Sequence, residues 1–140
     1  MFDFEKMQVY QLSLELIDIA TRITSRFPRG YSDLADQLRR AVTSSSLNIS
    51  EGSGEFQPKE KARFYRMSLR SVSESCSVIQ IAHRLKIAGD MDYAEGYATC
   101  TLLSKMLTNL VKSMNARAVK CEGQGPGRGT GNGNRGSDTS

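Results

Sequence analysis

The sequence predicts an all-α protein: an antiparallel up-down-up-down four-helix bundle over residues 1–119, followed by a disordered glycine-rich tail over residues 120–140. Two observations lead to this fold class. Apolar residues recur at helical spacing in four segments, and no segment shows the signals of a β-hairpin. Four helices joined by short loops pack naturally as an antiparallel bundle.

The first predicted helix runs from about Asp3 to Arg26 and ends before Pro28 and Gly30. It carries two apolar stripes on different faces. The first stripe comprises Met7, Tyr10, Leu14 and Ile17, and the second comprises Leu12, Leu16, Ile19, Ile23 and Phe27. Two stripes predict a helix that is buried on two sides.

The second predicted helix starts at Ser32, whose hydroxyl is expected to cap free amide groups. Its apolar stripe consists of Leu34, Leu38, Ala41, Ser45 and Ile49. The segment TSSSLNIS has poor helix propensity. Its small side chains would let a neighbouring helix approach closely.

Pro58 is well placed as the first residue of a third helix, which is predicted to run to about Ile87 and to close at Gly89. Its core stripe consists of Tyr65, Leu69, Val72, Cys76, Ile79 and His83. Further apolar residues lie outside this stripe: Phe64, Met67, Val78, Ile81 and Leu85. We therefore expect copies of the chain to assemble through second apolar faces of helices one and three.

A fourth helix is predicted to begin with Asp90 or Asp92 as its cap and to fade by about Val119. Its stripe consists of Cys100, Leu103, Leu107, Leu110 and Met114. In the predicted tail, seven of the chain's 12 glycines lie between positions 123 and 136. Such a composition buries too little apolar surface to offset the entropy of ordering.

The net charge and the distribution of apolar residues limit the partners and the cellular location that the sequence predicts. The net charge is +4 and the pI is about 9.1, which permits an anionic partner without requiring one. No apolar run reaches the roughly 20 residues of a membrane helix, and the N-terminal residues do not resemble a secretory signal. We therefore expect a cytoplasmic protein that does not bind membranes.

The residue types that usually carry catalysis or bind metals occur in no known motif. The three cysteines include no CxxC pair, so Cys76 and Cys100 are interpreted as small core residues. His83 is the single histidine, and no acid or cysteine lies three or four residues from it. Asp90, Asp92 and Glu95 are interpreted as charges at the start of a helix. We expect no catalytic residue, metal, cofactor or small-molecule substrate.

A basic stripe is the most informative surface feature. It comprises Lys59, Arg63, Arg66 and Arg70, which lie within about 60° of each other at 100° per residue. Arg84 returns to the same line, and Arg39 and Arg40 on helix two would enlarge the patch. Guanidinium groups suit phosphate oxygens, so the stripe predicts binding to a nucleic-acid backbone without sequence readout. The alternatives are a solvated helix face, or salt bridges between subunits that involve Glu51, Glu55, Glu60 or Glu74.

A second set of polar residues forms a polar seam that leads to the end of helix two. It comprises Gln37, Ser44, Asn48, Glu51 and Gly52. The expected role of Asn48 and Glu51 is to satisfy backbone groups at the following turn or to contact another subunit, and a functional polar pocket is the alternative. Gly52 and Gly54 are expected to permit a sharp exit before Pro58.

Two segments, QLRRAVTSSSLNISEGSGEF and FYRMSLRSVSES, together resemble a known family. They are similar to the four-helix bundle proteins encoded within intervening sequences of bacterial 23S rRNA genes. The resemblance covers roughly residues 4–115. Its most specific part is Asn48-Ile49-Ser50-Glu51-Gly52 after Gln37-Leu38-Arg39-Arg40-Ala41. Family members usually have alanine where this chain has Ser50.

The resemblance implies an antiparallel bundle that assembles as a ring-shaped homo-oligomer, a pentamer, with no established enzymatic activity. The leading hypothesis is a non-enzymatic oligomeric module that binds RNA or a nucleoprotein through the basic stripe. The second is a protein-binding scaffold or accessory subunit, such as a partner of a retroelement reverse transcriptase, by analogy of fold. An enzyme with an unrecognised site is the third.

Overall fold

The computed structural model of the chain describes residues 3–124. A 3-10 turn, Asp3–Lys6, precedes the helices within this range, which are α1 (Gln8–Ser25), α2 (Ser32–Ser53), α3 (Pro58–Arg84) and α4 (Asp90–Gln124). The larger part of the predicted tail, residues 125–140, lies outside the described residues. Helix α4 continues to Gln124, past the predicted end near Val119.

The helices form a four-helix bundle in which each helix contacts its neighbours along the chain, and α1 also contacts α4. The most extensive contacts join α3 to α4 and α2 to α3, which follows from the greater length of these helices. Short connections between consecutive helices that pack together make an up-down-up-down arrangement. The predicted fold class is therefore confirmed.

The bundle core is aliphatic and draws on all four helices. Its largest fully buried side chains include Leu16, Ile23, Leu38, Ile49, Ile79, Leu103 and Leu107. Burial of a Leu or Ile side chain contributes roughly 1.5–3 kcal/mol, so residues of this kind supply the main stabilisation of the bundle. The predicted stripe of α2 enters this core at Leu38, Ala41, Ser45 and Ile49, and leaves Leu34 half-buried.

The start of the first helix and the cap of the second differ from the prediction, whereas α2 does begin at Ser32. A break at Met7 separates the 3-10 turn from α1, so the first helix is not continuous from Asp3. Tyr31, rather than Ser32, is the N-cap of α2, and no side chain of the described residues caps this helix. Ser32 lies inside the first turn, where its hydroxyl no longer faces the free amide groups that it was expected to cap.

Helix α3 begins at Pro58 as predicted, but it ends at Arg84 rather than at Ile87. Lys86 takes the left-handed conformation after the helix, with φ of 65°, so Gly89 does not close it. The N–H of Ile87 donates to the carbonyl of Ala82 at 3.0 Å, and the N–H of Lys86 donates to the carbonyl of His83 at 3.0 Å. This pair of bonds is a Schellman motif with lysine where glycine is usual.

Gly52 has a different role from the one predicted. It is buried within the last turn of α2, and a Cβ atom at this position would lie 2.8 Å from Cε1 of Tyr65. Gly54 has a right-handed conformation, with φ of −82° and ψ of −8°. The glycine at position 52 is therefore required by the close approach of α2 and α3. The chain does turn sharply between Ser53 and Pro58, but neither Gly52 nor Gly54 permits this turn through a positive φ, so that part of the prediction is wrong.

The apolar residues outside the core stripe of α3 do not form one outward face. Val78 is buried inside the bundle, and Phe64 and Met67 are half-buried. Ile81 and Leu85 remain, each with 47% of its surface exposed. On α1, Met7, Tyr10 and Ile17 of the first stripe are half-buried against the bundle's own core. Much of the apolar surface that was predicted to join copies is thus used within one chain.

Across residues 3–124, none of the helices has the length and apolar character needed to cross a membrane.

Candidate nucleic-acid interface

All four side chains of the basic stripe are exposed on one face of α3. This outcome follows from the helical wheel, because the stripe lies roughly 120–140° from the buried stripe of the same helix. Arg63 already has partners on its own helix. Its Nε donates to Glu60 Oε1 at 3.0 Å, and its guanidinium carbon lies 4.5 Å from the centre of the Phe64 ring.

The other three members of the basic stripe are Lys59, Arg66 and Arg70. Within the part of the chain that the structure describes, none of them has a hydrogen-bond or ion-pair partner. Their charge is therefore not neutralised by the bundle itself. An exposed cation without a carboxylate partner keeps its attraction for an external anion such as a phosphate.

Arg40 lies beside one end of the basic stripe, on the neighbouring helix. Ser71 Oγ donates to Ser44 Oγ at 2.9 Å, and Gln37 Nε2 donates to Glu74 Oε2 at 3.4 Å. Because Arg40 lies between Gln37 and Ser44 on α2, these bonds bring it level with the turn of α3 that follows Arg70. Arg40 has no ion-pair partner among residues 3–124.

Arg39 contributes less free charge, because its Nη1 pairs with Asp36 Oδ1 at 2.9 Å. It borders a shallow groove of about 390 Å³ together with Arg40, Thr43, Ser44, Leu47 and Asn48. Arg39 and Arg63 each have an intrahelical ion pair, whereas the other four predicted basic residues have no partner among residues 3–124. Arg40 is therefore better placed than Arg39.

The polar seam is a contact between α2 and α3 rather than the support of the turn. Asn48 Nδ2 donates to the carbonyl of Ser44 at 2.9 Å and to its hydroxyl at 3.1 Å. The same hydroxyl accepts the bond from Ser71. Asn48 therefore satisfies a helix-internal carbonyl and fixes the serine that joins the two helices. Glu51 is exposed beside the turn and takes no part in this network.

Lys61 is the residue that supports the turn, and the sequence reasoning missed it. Its Nζ donates to the carbonyl of Ser53 at 2.9 Å and to that of Gly52 at 3.3 Å. These carbonyls end α2, whose last turn contains no basic residue. A cation at a helix C-terminus satisfies free carbonyls and interacts favourably with the helix dipole. The available signal was a lysine in the first turn of the next helix.

A cluster of ion pairs joins α1 to the start of α4. The buried Asp92 accepts from Arg26 Nη1 at 2.9 Å and lies 3.5 Å from Arg22 Nε, while Arg22 also pairs with Glu95. The interpretation of Asp92 and Glu95 as charges for the helix dipole alone is therefore incomplete.

The N-cap of α4 differs from the prediction. Asp90 is the first residue of α4, and the carbonyl of Gly89 accepts a hydrogen bond from the N–H of Tyr93 at 2.9 Å. Neither predicted aspartate therefore has the N-cap position.

His83 is half-buried and hydrogen-bonded within the bundle. Its Nε2 lies 2.8 Å from Asp90 Oδ1, and its ring stacks on Tyr93 with centroids 4.2 Å apart. Asp90 is seven residues away on the next helix, so no search at helical spacing would have found it. Among the described residues, no three His, Cys, Asp or Glu side chains lie together in a group suited to a metal ion.

Cys76 and Cys100 lie together between α3 and α4. Cys100 is buried and Cys76 is half-buried. Burial raises the pKa of the Cys100 thiol to about 12, with the neighbouring Cys76 adding to the effect. Burial also raises the pKa of Cys76, and a hydrogen bond with Cys100 opposes that rise. Both thiols therefore stay protonated at neutral pH, which suits packing rather than nucleophilic chemistry.

The comparisons with known proteins identify a family. The family model described as 23S rRNA-intervening sequence protein matches residues 5–109. No curated protein matches the chain. The matched range includes α1, α2, α3 and the first half of α4, and with them the polar seam and the basic stripe. The chain therefore belongs to the 23S rRNA-intervening sequence protein family.

Proposed function

We propose that this protein is a non-enzymatic, homo-oligomeric module that binds RNA, alone or within a nucleoprotein, through the basic stripe. The observation that carries the proposal is the exposure of Lys59, Arg66 and Arg70 on one helix face without any partner among the described residues. The name of the family adds an association with a ribosomal RNA gene.

The mode of binding that this geometry supports is contact with the phosphate backbone. Lys59 and Arg70 are 11 residues apart, which corresponds to roughly 16 Å along a helix. Arg40 extends the positive surface onto α2, beside the seam. An exposed line of long cationic side chains reaches phosphate oxygens but offers no fixed arrangement for reading bases. We therefore expect binding to depend strongly on salt and weakly on sequence.

Assembly into a ring, a pentamer, would strengthen a stripe that is weak in a single copy. Several copies of the stripe on one particle would act together through effective concentration. The exposed apolar side chains Leu47, Leu85 and Leu102 support contacts between copies, since each exposes 47–59% of its surface. Light scattering of the purified protein would give the mass of the particle and hence the number of copies.

The test is an RNA-binding titration at two salt concentrations with the intact particle. Four phosphate contacts predict that affinity for a structured rRNA fragment falls roughly fifty- to 150-fold between about 50 and 200 mM salt. The double variant Arg66→Glu/Arg70→Glu should weaken binding at low salt and reduce that dependence to about tenfold. The matched control is Lys105→Glu/Lys112→Glu, which makes the same charge change at exposed positions on α4.

Equal affinity losses in both double variants would assign the binding to net charge and remove the stripe from the proposal. Absence of binding by the wild-type particle at low salt would refute RNA binding altogether. Each variant must keep the particle mass of the wild type, because charge reversal at a subunit contact would otherwise imitate the loss of an RNA contact.

A protein-binding scaffold, including an accessory subunit of a retroelement reverse transcriptase, is the second candidate. Phe56 favours it, because this large apolar side chain lies at the turn between α2 and α3 with 93% of its surface exposed. Aromatic side chains are common anchors of protein interfaces. A partner that binds the wild type but not Phe56→Ser, with RNA binding unchanged, would support this second function.

A further inference from the structure

A groove lies between the C-terminal end of α3 and the start of α4. It has a volume of about 540 Å³ and is lined by Ser77, Gln80, Ile81, His83, Arg84 and Tyr93. This surface is separate from the basic stripe and from the polar seam. It combines two aromatic rings, an apolar side chain, an amide and a guanidinium group in one depression.

The rings at this groove are held in fixed positions. His83 and Tyr93 stack with centroids 4.2 Å apart and an interplanar angle of 11°, and Tyr97 lies 5.8 Å beyond Tyr93. The bond between His83 Nε2 and Asp90 Oδ1 fixes the orientation of the imidazole. Rings that are already ordered lose little conformational freedom when a planar ligand packs against them.

The polar side chains of the groove remain available. Gln80 and Arg84 are exposed, and neither has a hydrogen-bond or ion-pair partner among residues 3–124. An amide offers both a donor and an acceptor, whereas a guanidinium group suits a phosphate. Ile81 also lines the groove, exposes 47% of its surface and supplies an apolar contact.

Arg84 also links the groove to the basic stripe. At 100° per residue it lies on the same line of α3 as Lys59, Arg66 and Arg70. The 14 residues from Arg70 to Arg84 correspond to about 21 Å along the helix. A single polynucleotide strand that follows this line would meet the stripe first and the groove at its end.

We propose that the groove binds one unpaired nucleotide of an RNA strand whose backbone lies on the basic stripe. The base packs against the rings of His83 and Tyr93 and against Ile81, the Gln80 amide hydrogen-bonds to its polar edge, and Arg84 contacts its phosphate. Unpaired bases are the usual target of aromatic and arginine side chains in RNA recognition. The inference rests on the proposed function, because the stripe must hold the strand.

The neighbouring charges favour a nucleotide within a strand over a small free anion. Among the described residues that line the groove, Arg84 is the one arginine or lysine, and the exposed carboxylate of Asp90 is hydrogen-bonded to His83 beside it. A free phosphate would therefore gain little net attraction here. A base carries no charge and gains from stacking, so the strand tethered on the stripe supplies the phosphate for Arg84.

The test compares a labelled 12-nucleotide single-stranded RNA with a blunt duplex RNA of the same length. Gln80→Glu keeps the size of an exposed side chain and adds a negative charge at the groove, and Asn109→Asp is the matched control on an exposed part of α4. We expect Gln80→Glu and Tyr93→Leu each to weaken single-strand binding roughly tenfold, and to change duplex binding by less than twofold. Asn109→Asp should change neither.

A photocrosslink locates the base directly. Single-stranded RNA that contains 4-thiouridine should crosslink to a peptide that includes Gln80–Arg84 or Tyr93, and Gln80→Glu should reduce the yield. If the wild type binds both RNAs but Gln80→Glu changes neither affinity and no crosslink maps to the groove, this inference is wrong while the proposed function stands. If the wild type binds neither RNA, both are wrong.

Discussion

Gly52 on α2 and Tyr65 on α3 approach so closely that a methyl group on Gly52 would lie 2.8 Å from Cε1 of Tyr65 and 3.0 Å from its Cδ1. Tyr65 is buried, and burial raises the pKa of its hydroxyl, with the positive charge of Arg117 opposing the rise. The ring therefore has little room to move. This contact sets the separation of the two helices near the turn that joins them.

Gly52→Ala should consequently destabilise the protein. Inserting a methyl group into a packed contact costs about 1–3 kcal/mol, which outweighs the better helix propensity of alanine. Gly54→Ala is the matched control, because the nearest atom to its added Cβ would be the Glu51 carbonyl oxygen at an ordinary 3.6 Å. Urea unfolding of both variants measures the difference, and equal stabilities would show that the contact relaxes freely.

Lys61→Met should lower the free energy of unfolding by about 1 kcal/mol, because it leaves the carbonyls of Gly52 and Ser53 without their charged donor. Lys59→Met, two residues earlier, is the control, since Lys59 is exposed and has no partner among the described residues. Lys59→Met should leave stability within about 0.5 kcal/mol of the wild type. Chemical denaturation at low and high salt checks both values. If Lys61→Met left the free energy of unfolding unchanged, the capping role of Lys61 would be contradicted.

Lys86→Gly should stabilise the protein by about 1 kcal/mol, because Lys86 has φ of 65° and glycine adopts this conformation without steric cost. Gly89→Ala tests the neighbouring position, where φ is not positive and an added Cβ meets nothing within 4 Å. It should be neutral or slightly destabilising, because Gly89 is the N-cap of α4 and alanine is a poorer N-cap residue than glycine. Thermal unfolding of the two variants distinguishes the roles, and destabilisation by Lys86→Gly would show that the lysine side chain contributes more than its backbone strain.

The three cysteines should react with a thiol reagent at well-separated rates. Cys121 is exposed and should react first, Cys76 more slowly and Cys100 last. Thiolate is the reactive form, and at pH 8 a pKa of about 12 in place of 9.0 leaves roughly a thousandth of the thiolate. The reaction of Cys100 with the reagent should therefore become faster as the pH rises, up to a pH of about 12. Cys121→Ser should remove only the fast phase, and a fast reaction at Cys100 would contradict its burial.

Local sequence patterns were enough to predict the four helices of residues 3–124, their approximate ends and the side of each helix that is buried. These properties depend on periodicity and on local signals such as Pro58, which act within a few residues. The exposure of the basic stripe followed from the same periodicity, because its members are separated from Tyr65, Val72 and Ile79 by roughly 120–140° around the helix axis.

The contacts between residues of different helices became visible only in the assembled bundle. Lys61 with the end of α2, Asp92 with Arg22 and Arg26, His83 with Asp90, and Gly52 with Tyr65 each depend on the register of two helices or on the course of a turn. Helical periodicity fixes direction around an axis but carries no information about how far one helix slides along another. That displacement is set by packing of the complete core, so the α3–α4 groove and the position of Arg40 beside the stripe emerged only when all four helices were in place.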